Sequence, residues 1–505
     1  MPDASQKRPN VLFIMTDQQR WDALGCHSGK VFTPNLDRLA AEAADFRQFF
    51  TQSPVCVPSR CNLFAGRYPH SHRVRENNAR LDPHEVHLFK ALKQVGYRLG
   101  YVEKNHLLEN GEFANFDFTD LPQDEEPTGE RAEFLKFKKQ QGSKLRTVAS
   151  WASAAFHDFS PEVTTPYRSR ESAIEFLRSN PADQPFCLCV SFADPHAPHV
   201  APRKFESMYP LDEIEVPEAP EGVLEQKAPR FRIKQEAQGS LLASEEDKQR
   251  YLAVYRSMIS WVDENVGAIL DALDEQGLRD ETIIVFTSDH GDFNFDYGMC
   301  KKDLVLLDCL LRVPCLIAWR GHVKPREVSA LAEQIDVLPT LLELCGAEVP
   351  FGCQGRSLAA LLAGRTDAHR DEVHAEICPP WLANPYKTFE EFRREWEAHH
   401  EEPEHVLGWT APFNVPGDFT KMLRTEDFKY ILYGDGFEEL YDLRADPGET
   451  ENLARRPEHA ETTARMRLEL LQWNARSEDP LDPMWHRKHL AEYDGWQPAA
   501  PPRKK

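Results

Sequence analysis

The sequence predicts an α/β protein: a large, mostly parallel sheet sandwiched by helices, with a smaller C-terminal subdomain built on an antiparallel sheet. Three observations carry that prediction. Short continuous apolar runs such as Val11–Met15 and Phe186–Phe192 have strand length and no polar face, the pattern of strands buried on both sides of a parallel sheet. Segments between the runs repeat their apolar residues at the helical period, the alternation that builds such sheets. Past about residue 370, strand candidates follow one another without intervening helices, which suits a small antiparallel sheet. The expected organisation is an α/β domain over 1–370, a subdomain over 371–490 and a tail over 491–505.

The chain has 505 residues, enough for a sizeable core, and its 41% apolar and 28% charged residues exclude a fully disordered polymer. A net charge of −22 argues against nucleic acid or an anionic membrane as partner. An anionic substrate then needs a local cluster of cations. The eleven cysteines are scattered, with no CxxC pair and no zinc-like spacing. Cys187 and Cys189 alternate within one apolar run, so they are read as core. Residues 1–9 lack an apolar signal core, and no run approaches about 20 apolar residues, so a cytoplasmic chain without a membrane span is expected.

In chain order, Val11–Met15 is the first strand and stops at Thr16-Asp17-Gln18. Thr33-Pro34-Asn35 opens a helix with a capping residue and a first-turn proline. Residues 84–96 read as a helix with Val86, Phe89, Leu92 and Val95 on one face and Gly96 as its stop. Tyr97–Val102 is a strand candidate ending at Glu103-Lys104-Asn105-His106. Residues 107–165 read as a loop-rich insertion with an acidic patch at 124–126. A helix over 168–180 leads into the strand Phe186–Phe192, which ends at Ala193-Asp194-Pro195-His196. Residues 201–243 read as proline-rich and irregular, and 245–275 as a long helix stopped by Gly277. Thr282–Ser288 is the clearest strand, ending at Asp289-His290-Gly291. A strand over 313–319 and a helix over 336–345 complete the α/β alternation. A charged helix over 389–400, two strands near 421–424 and 428–433, then the run 438–443, a helix near 458–473 and a disordered end over 498–505 are expected in the remainder.

Four strand runs thus end in chemically capable groups: Asp17, Lys104 with His106, His196, and Asp289 with His290. Open parallel sheets bind ligands outside the carboxyl ends of their strands, so these groups should converge. Asp17, Gln18, Asp289 and His290 form a mostly hard donor set for a divalent cation, Ca²⁺, Mg²⁺ or Mn²⁺. Arg60, Lys104 and Lys302 bring positive charge for an oxyanion, and His106 and His196 can move protons near neutral pH. Cys56 precedes Pro58 and Arg60; a helix starting near Pro58 would aim backbone N–H groups at it. The plain alternative is a small buried apolar residue. Downstream, His70, His72, Arg73, Arg75, Asn77 and Asn78 form a dense polar run, read either as a solvated loop or as substrate recognition through His72, Arg75, Asn77 and Asn78.

These motifs resemble the sulfatase family of the alkaline-phosphatase-like superfamily over most of the chain. Cys56-Val57-Pro58-Ser59-Arg60 with Gly66-Arg67 matches the C-x-P-S-R signature. Lys104-Asn105-His106 resembles the K-x-H segment, Pro195-His196-Ala197-Pro198 the P-H-x-P segment, and Ser288-Asp289-His290-Gly291 with Lys302 the second metal segment. The run from Glu439 to Leu453 resembles the usual C-terminal subdomain. The resemblance implies a catalytic domain over 1–370 and an enzyme that hydrolyses sulfate monoesters, a sulfated carbohydrate being the expected substrate. It implies that a formylglycine-generating maturation enzyme oxidises Cys56 to an aldehyde. The hydrated aldehyde would attack sulfur and later expel sulfate by C–O cleavage. Asp17, Gln18, Asp289 and His290, with the modified Cys56, would hold one divalent metal, Ca²⁺ first. Arg60 would stabilise the nucleophile, Lys104 and Lys302 would bind sulfate, His106 would be the base and His196 the acid for the leaving group.

The sequence departs from that pattern at three places. Many relatives carry a second aspartate where Gln18 stands, asparagine where His290 stands, and histidine where Tyr297 stands. The Gln/His pair also occurs in phosphonate monoester hydrolases of the superfamily, which makes a phosphonate monoester or phosphodiester hydrolase the alternative. A non-catalytic binder of sulfated ligands is the alternative of a different class; the intact Cys56, Arg60, Lys104 and both aspartates argue against it.

Overall fold

The first apolar run forms β1 (Asn10–Thr16), which is buried along its whole length, as a strand without a polar face must be. In the computed structural model, which describes residues 7–122, 127–144, 150–377, 394, 419–478 and 496, β1 lies inside an eight-stranded sheet. Its other members are β2 (Ala44–Phe46), β3 (Arg98–Glu103), β4 (Phe118–Asp120), β5 (Phe186–Ser191), β6 (Thr282–Ser288), β7 (Cys315–Ala318) and β8 (Arg326–Val328), in the order β8-β2-β7-β6-β1-β5-β3-β4. β1 pairs in parallel with β5 and β6, and β3 in parallel with β4 and β5. β7 runs against its neighbours β6 and β2, so the sheet is mostly parallel, as expected. Thr16 lies opposite Ser288, and Met15 and Glu103 both lie opposite Ser191. That register brings the ends of β6, β1, β5 and β3 level.

Alternate strand residues feed two cores. Val11, Phe13, Met15, Cys187, Cys189, Ile283 and Val285 face one way, and Leu12, Ile14, Leu188, Val190, Ile284 and Phe286 the other. The first face is covered by α2 (Cys56–Ala65), α3 (Leu88–Gln94) and α8 (Val337–Leu344) through Val57, Cys61, Phe64, Phe89, Leu92, Leu338 and Leu341. The second is covered by α1 (Pro34–Ala40), α5 (Thr165–Arg178) and α7 (Glu245–Glu275) through Leu36, Leu39, Phe176, Val262, Val266 and Ile269. Each fully buried Leu, Ile or Phe contributes about 2 kcal/mol relative to exposure. Cys187 and Cys189 are packing residues, as read. A reciprocal capping box between Ser244 and Asp247 starts α7.

Several expectations shift. The helix foreseen over 84–96 begins only at Leu88, because His87 caps it by accepting from Lys90 N. Within the region read as loop, α4 (Gly129–Lys144) is a 16-residue helix. Within the stretch read as irregular, α6 (Pro229–Gln238) is a ten-residue helix. The small sheet is antiparallel and has four strands, β9 (Val373–Ile377), β10 (Thr420–Arg424), β11 (Phe428–Tyr433) and β12 (Glu438–Asp442). Its first and last strands go beyond the two expected from the sequence. It packs on the main domain through Phe50, Leu306 and Leu311, and α9 (Ala460–Arg476) covers it through Met466, Leu470 and Trp473. The acidic patch at 124–126, most of the charged helix over 389–400 and the end over 498–505 lie outside the described residues. Among the described residues, no helix is long and apolar enough to cross a membrane.

Candidate active site

The level strand ends deliver Asp17-Gln18 from β1, Asp289-His290 from β6, Lys104 and His106 from β3, and His196 from the loop after β5. The turn after β6 is tight: a Cβ on Gly291 would lie 2.0 Å from the carbonyl oxygen of Cys309. Only glycine fits there.

α2 supplies the remaining partner. The expectation put its start near Pro58, but Cys56 is itself the first helical residue, after an extended Val55. Pro58 sits in the first turn, where a missing N–H costs nothing. Val55 offers no side-chain cap; Asn77 Oδ1 accepts from Val57 N at 3.1 Å instead. Cys56 therefore sits at the positive end of a ten-residue helix and is 1% exposed.

Around Cys56 the groups converge as the strand ends predict. Lys302 Nζ donates to Cys56 Sγ at 2.6 Å, His290 Nε2 lies 3.3 Å from the sulfur, and Asp17 Oδ1 lies 3.8 Å from it. Arg60 is fully buried and locked on three sides: to Asp289 Oδ2 at 3.0 Å, Asp17 Oδ2 at 3.0 Å and Ser191 Oγ at 2.6 Å. Lys104 Nζ donates to Asp17 Oδ2 at 2.6 Å. His196 Nε2 lies 4.0 Å from Asp17 Oδ1, while its Nδ1 lies 2.6 Å from the carbonyl oxygen of Ala197.

The electrostatics follow from burial and these charges. Burial and Asp17 push the Cys56 thiol up, but Lys302, Lys104 and His290 outweigh them and hold it well below the usual thiol range. Burial also opposes ionisation of Asp17, yet Lys104, His196, Lys302 and Arg60 hold it well below the carboxylate range. Asp289 is pushed up to about 6 by burial and by the charge on Asp17. Two carboxylates sharing one arginine resist ionising together, so the site favours an added cation. Burial pushes His106 down to about 4, which makes it a neutral ring; its Nδ1 is buried with no partner among the described residues. Burial and Lys104 push His196 down as well.

The donor set fits a divalent metal. Asp17, Cys56, Asp289 and His290 each offer one ligand atom, all within 4.8 Å of one another. His290 Nδ1 lies 3.0 Å from the carbonyl oxygen of Gly291, so that nitrogen carries a proton; Nε2 faces Cys56 Sγ and Lys302 Nζ and, once deprotonated, would offer its lone pair to a cation. Gln18 sits at φ 71°, and its Nε2 donates to Asp292 Oδ2 at 2.5 Å.

The polar run after the helix divides. His72 is buried, with Nε2 on Asn62 Oδ1 at 2.7 Å and Nδ1 accepting from Val74 N at 3.1 Å. Both ring nitrogens are spent within the chain, which makes it a core residue. Asn77 lies beside the first turn of α2, Asn78 is exposed and Arg75 half-buried. Sequence reasoning missed Ser191, which braces Arg60, and Asp292, which fixes Gln18. Asp292 carried a signal, standing two residues past His290 on a strand end; Ser191 read only as the last residue of a strand. A second trio, Cys26, His27 and Asp45, has metal-like spacing. There His27 Nε2 already lies 2.9 Å from Asp45, Arg47 lies 3.2 Å from the same carboxylate, and burial pushes the Cys26 thiol up to about 12. Those contacts account for it without a metal.

Compared with known proteins, residues 9–347 match the sulfatase family. The chain is 28% identical over 502 residues to an uncharacterised sulfatase, YidJ, of Escherichia coli K12, covering 98% of this chain and 92% of that one. It is 25% identical over 540 residues to an N-acetylglucosamine-6-O-sulfatase of Bacteroides thetaiotaomicron, covering 94% and 88%. Its fold superposes on a phosphonate monoester hydrolase from Silicibacter pomeroyi with a TM-score of 0.74 at 23% identity, covering 94% of this chain and 96% of that one.

Proposed function

We propose that this chain, which belongs to the sulfatase family, hydrolyses sulfate monoesters, with a sulfated carbohydrate as the substrate class. The observation that carries the reading is the meeting of Cys56, Lys302, Lys104 and Arg60 with two acids and His290 at one helix N-terminus. The likeness to an N-acetylglucosamine-6-O-sulfatase supports the carbohydrate part.

Formylglycine made from Cys56 would supply a hydrated aldehyde as nucleophile, and a divalent cation, Ca²⁺ first, would favour its ionised form and draw charge from the sulfate oxygens. Asp17, Asp289, His290 Nε2 and the amide oxygen of Gln18 would hold the cation. Asp292 fixes the Gln18 amide nitrogen, which leaves the oxygen for a metal. Arg60 cannot swing, because Asp17, Asp289 and Ser191 hold it; it keeps both acids oriented and lends its charge to position 56. Lys104 and Lys302 bring two ammonium groups to a sulfuryl group at that position. Such fixed cations act where charge develops in the transition state. His106, neutral near pH 7, accepts a proton from position 56. His196, whose Nδ1–H is held by the Ala197 carbonyl, would act as the acid only as the imidazolium, taking up a proton at Nε2 before passing it to the departing alcohol. The partners required are the sulfated substrate and a formylglycine-generating maturation enzyme.

A second reading, a phosphonate monoester hydrolase, draws on Gln18 and His290 and on the fold likeness. Side-by-side turnover of an aryl sulfate and an aryl phosphonate monoester separates the two. The sulfatase reading expects a higher kcat/KM for the sulfate, abolished in Cys56→Ala. A preference for the phosphonate overturns it, and full turnover by Cys56→Ala overturns the site.

A further inference from the structure

Lys302 is delivered by a loop rather than by a strand or helix, and that loop is strained. Asn294 (φ 47°), Phe295 (72°), Tyr297 (55°), Gly298 (68°) and Lys301 (61°) all take left-handed backbone. Residues with side chains hold such conformations only where their surroundings over-determine them. Here the surroundings are α6, the residues just after it and α7. Gln235 Nε2 donates to the carbonyl oxygen of Tyr297 at 2.6 Å. Gln238 Oε1 accepts from Cys300 N at 3.0 Å, and Ser240 Oγ donates to the carbonyl oxygen of Gly298 at 2.6 Å. Lys234 Nζ donates to Asp303 Oδ1 at 3.0 Å, a pair with side-chain exposures of 0% and 1%. Tyr251 of α7 accepts from Lys301 N at 3.1 Å. The residues on both sides of Lys302 are therefore gripped, while its own ammonium meets Cys56.

The grip continues into the small sheet. Immediately before α6, Lys227 Nζ donates to Tyr441 Oη at 2.9 Å and Ala228 N to Glu439 Oε1 at 2.7 Å, both acceptors on β12. Tyr297 Oη donates to the carbonyl oxygen of Gly448 at 2.6 Å. Tyr297 thus ties the loop to the C-terminal subdomain.

We propose that α6, through Lys234, Gln235 and Gln238, is a positioning device that sets Lys302 against position 56 and anchors it to the C-terminal sheet. The proposal rests on the reading of Lys302 as a sulfate contact. A lysine ammonium is a point charge on a flexible stem, so its placement depends on where the backbone holds its Cα. Displacing such a group by about 1 Å costs up to about a hundredfold in rate.

The test uses the full chain and two readouts: kcat/KM on an aryl sulfate, and competitive inhibition by inorganic sulfate. Gln235→Ala and Lys234→Met are each expected to lower kcat/KM about ten- to hundredfold and to weaken sulfate inhibition by about threefold or more. Lys234→Arg should restore most of both. Should Lys234→Met fail to fold with Asp303 unpaired, Lys234→Met/Asp303→Leu removes both charges of that pair and is expected to show the same losses. Folded variants that keep both quantities within about twofold overturn the proposal. So does lost turnover with unchanged sulfate inhibition, since α6 would then act elsewhere. Lys302→Ala is the control: if it retains turnover and sulfate inhibition, the lysine assignment itself falls and takes this proposal with it. If it loses them while the α6 variants do not, the positioning role alone fails.

Discussion

Replacing Glu103 by glutamine should remove a specific pH dependence of stability. Glu103 ends β3 at φ 73°, immediately before Lys104, and is 4% exposed. Its Oε1 accepts from Ala193 N at 2.8 Å, in the loop that carries His196. Its Oε2 lies 2.8 Å from Ser169 Oγ, which also lies 2.9 Å from the carbonyl oxygen of Thr165. One hydroxyl hydrogen cannot serve both oxygens. A protonated Glu103 removes the conflict, donating to Ser169, which then donates to Thr165. Burial, and after it the charge of Asp194, push this carboxyl up to about 7 from an ordinary 4.5. The native state therefore holds a proton that the unfolded chain has released. The stabilisation is complete below about pH 4.5 and is lost as pH rises through about 7, in total about 3 kcal/mol. A glutamine side chain at this position would keep the same hydrogen bonds at every pH. For a chain of this size about 3 kcal/mol corresponds to a Tm difference of about 3 °C. Thermal melts from pH 5 to pH 8.5 should show the Tm of Glu103→Gln rising relative to wild type by that amount. Parallel curves, or a wild type that gains relative stability with rising pH, would refute the reasoning.

Three further outcomes follow from the site. Arg60→Met strips two buried carboxylates of their shared partner and should cost about 3–5 kcal/mol, read as a lowered Tm, with added Ca²⁺ recovering part of it; an unchanged Tm would deny the arginine its bracing role. Asp289→Asn should weaken Ca²⁺ binding about tenfold or more by titration calorimetry, because one charged oxygen leaves the donor set; wild-type affinity would move the metal elsewhere. Gly291→Ala forces a Cβ to within 2.0 Å of a backbone oxygen and should cost about 3 kcal/mol, measured by chemical unfolding, because backbone on both sides must shift; a near-neutral result would mean the turn after β6 is soft.

What could be read from the chain alone depends on how local each signal is. β1, β5 and β6 were legible because burial on both faces demands unbroken apolar runs, and their polar terminators named Asp17, His196, Asp289 and His290. α7 was legible from a long period and a stop at Gly277. α4 was not: in GERAEFLKFKKQQGSK only Phe134 and Gln141 are buried, so it has almost no apolar stripe to detect. α6 was hidden by the proline-rich stretch around it, and its use is polar: it grips the loop before Lys302 through amides and an ion pair that leave no pattern in sequence. β9 was missed because its pairing partner β10 begins 43 residues after β9 ends. His72 misled because a polar side chain in a polar run looks solvated, whereas Asn62 and Val74 N draw it into the core. Ser191 shows the same limit from the other side, since its contact with Arg60 spans 131 residues.

The measurement that bears most directly on the whole account is the mass of the peptide containing Cys56, taken from the same preparation whose aryl sulfatase turnover has been measured. The account predicts an aldehyde at position 56, in a fraction that scales with specific activity, and no turnover from protein in which position 56 remains a thiol. Full activity from a preparation whose Cys56 is entirely thiol would contradict it.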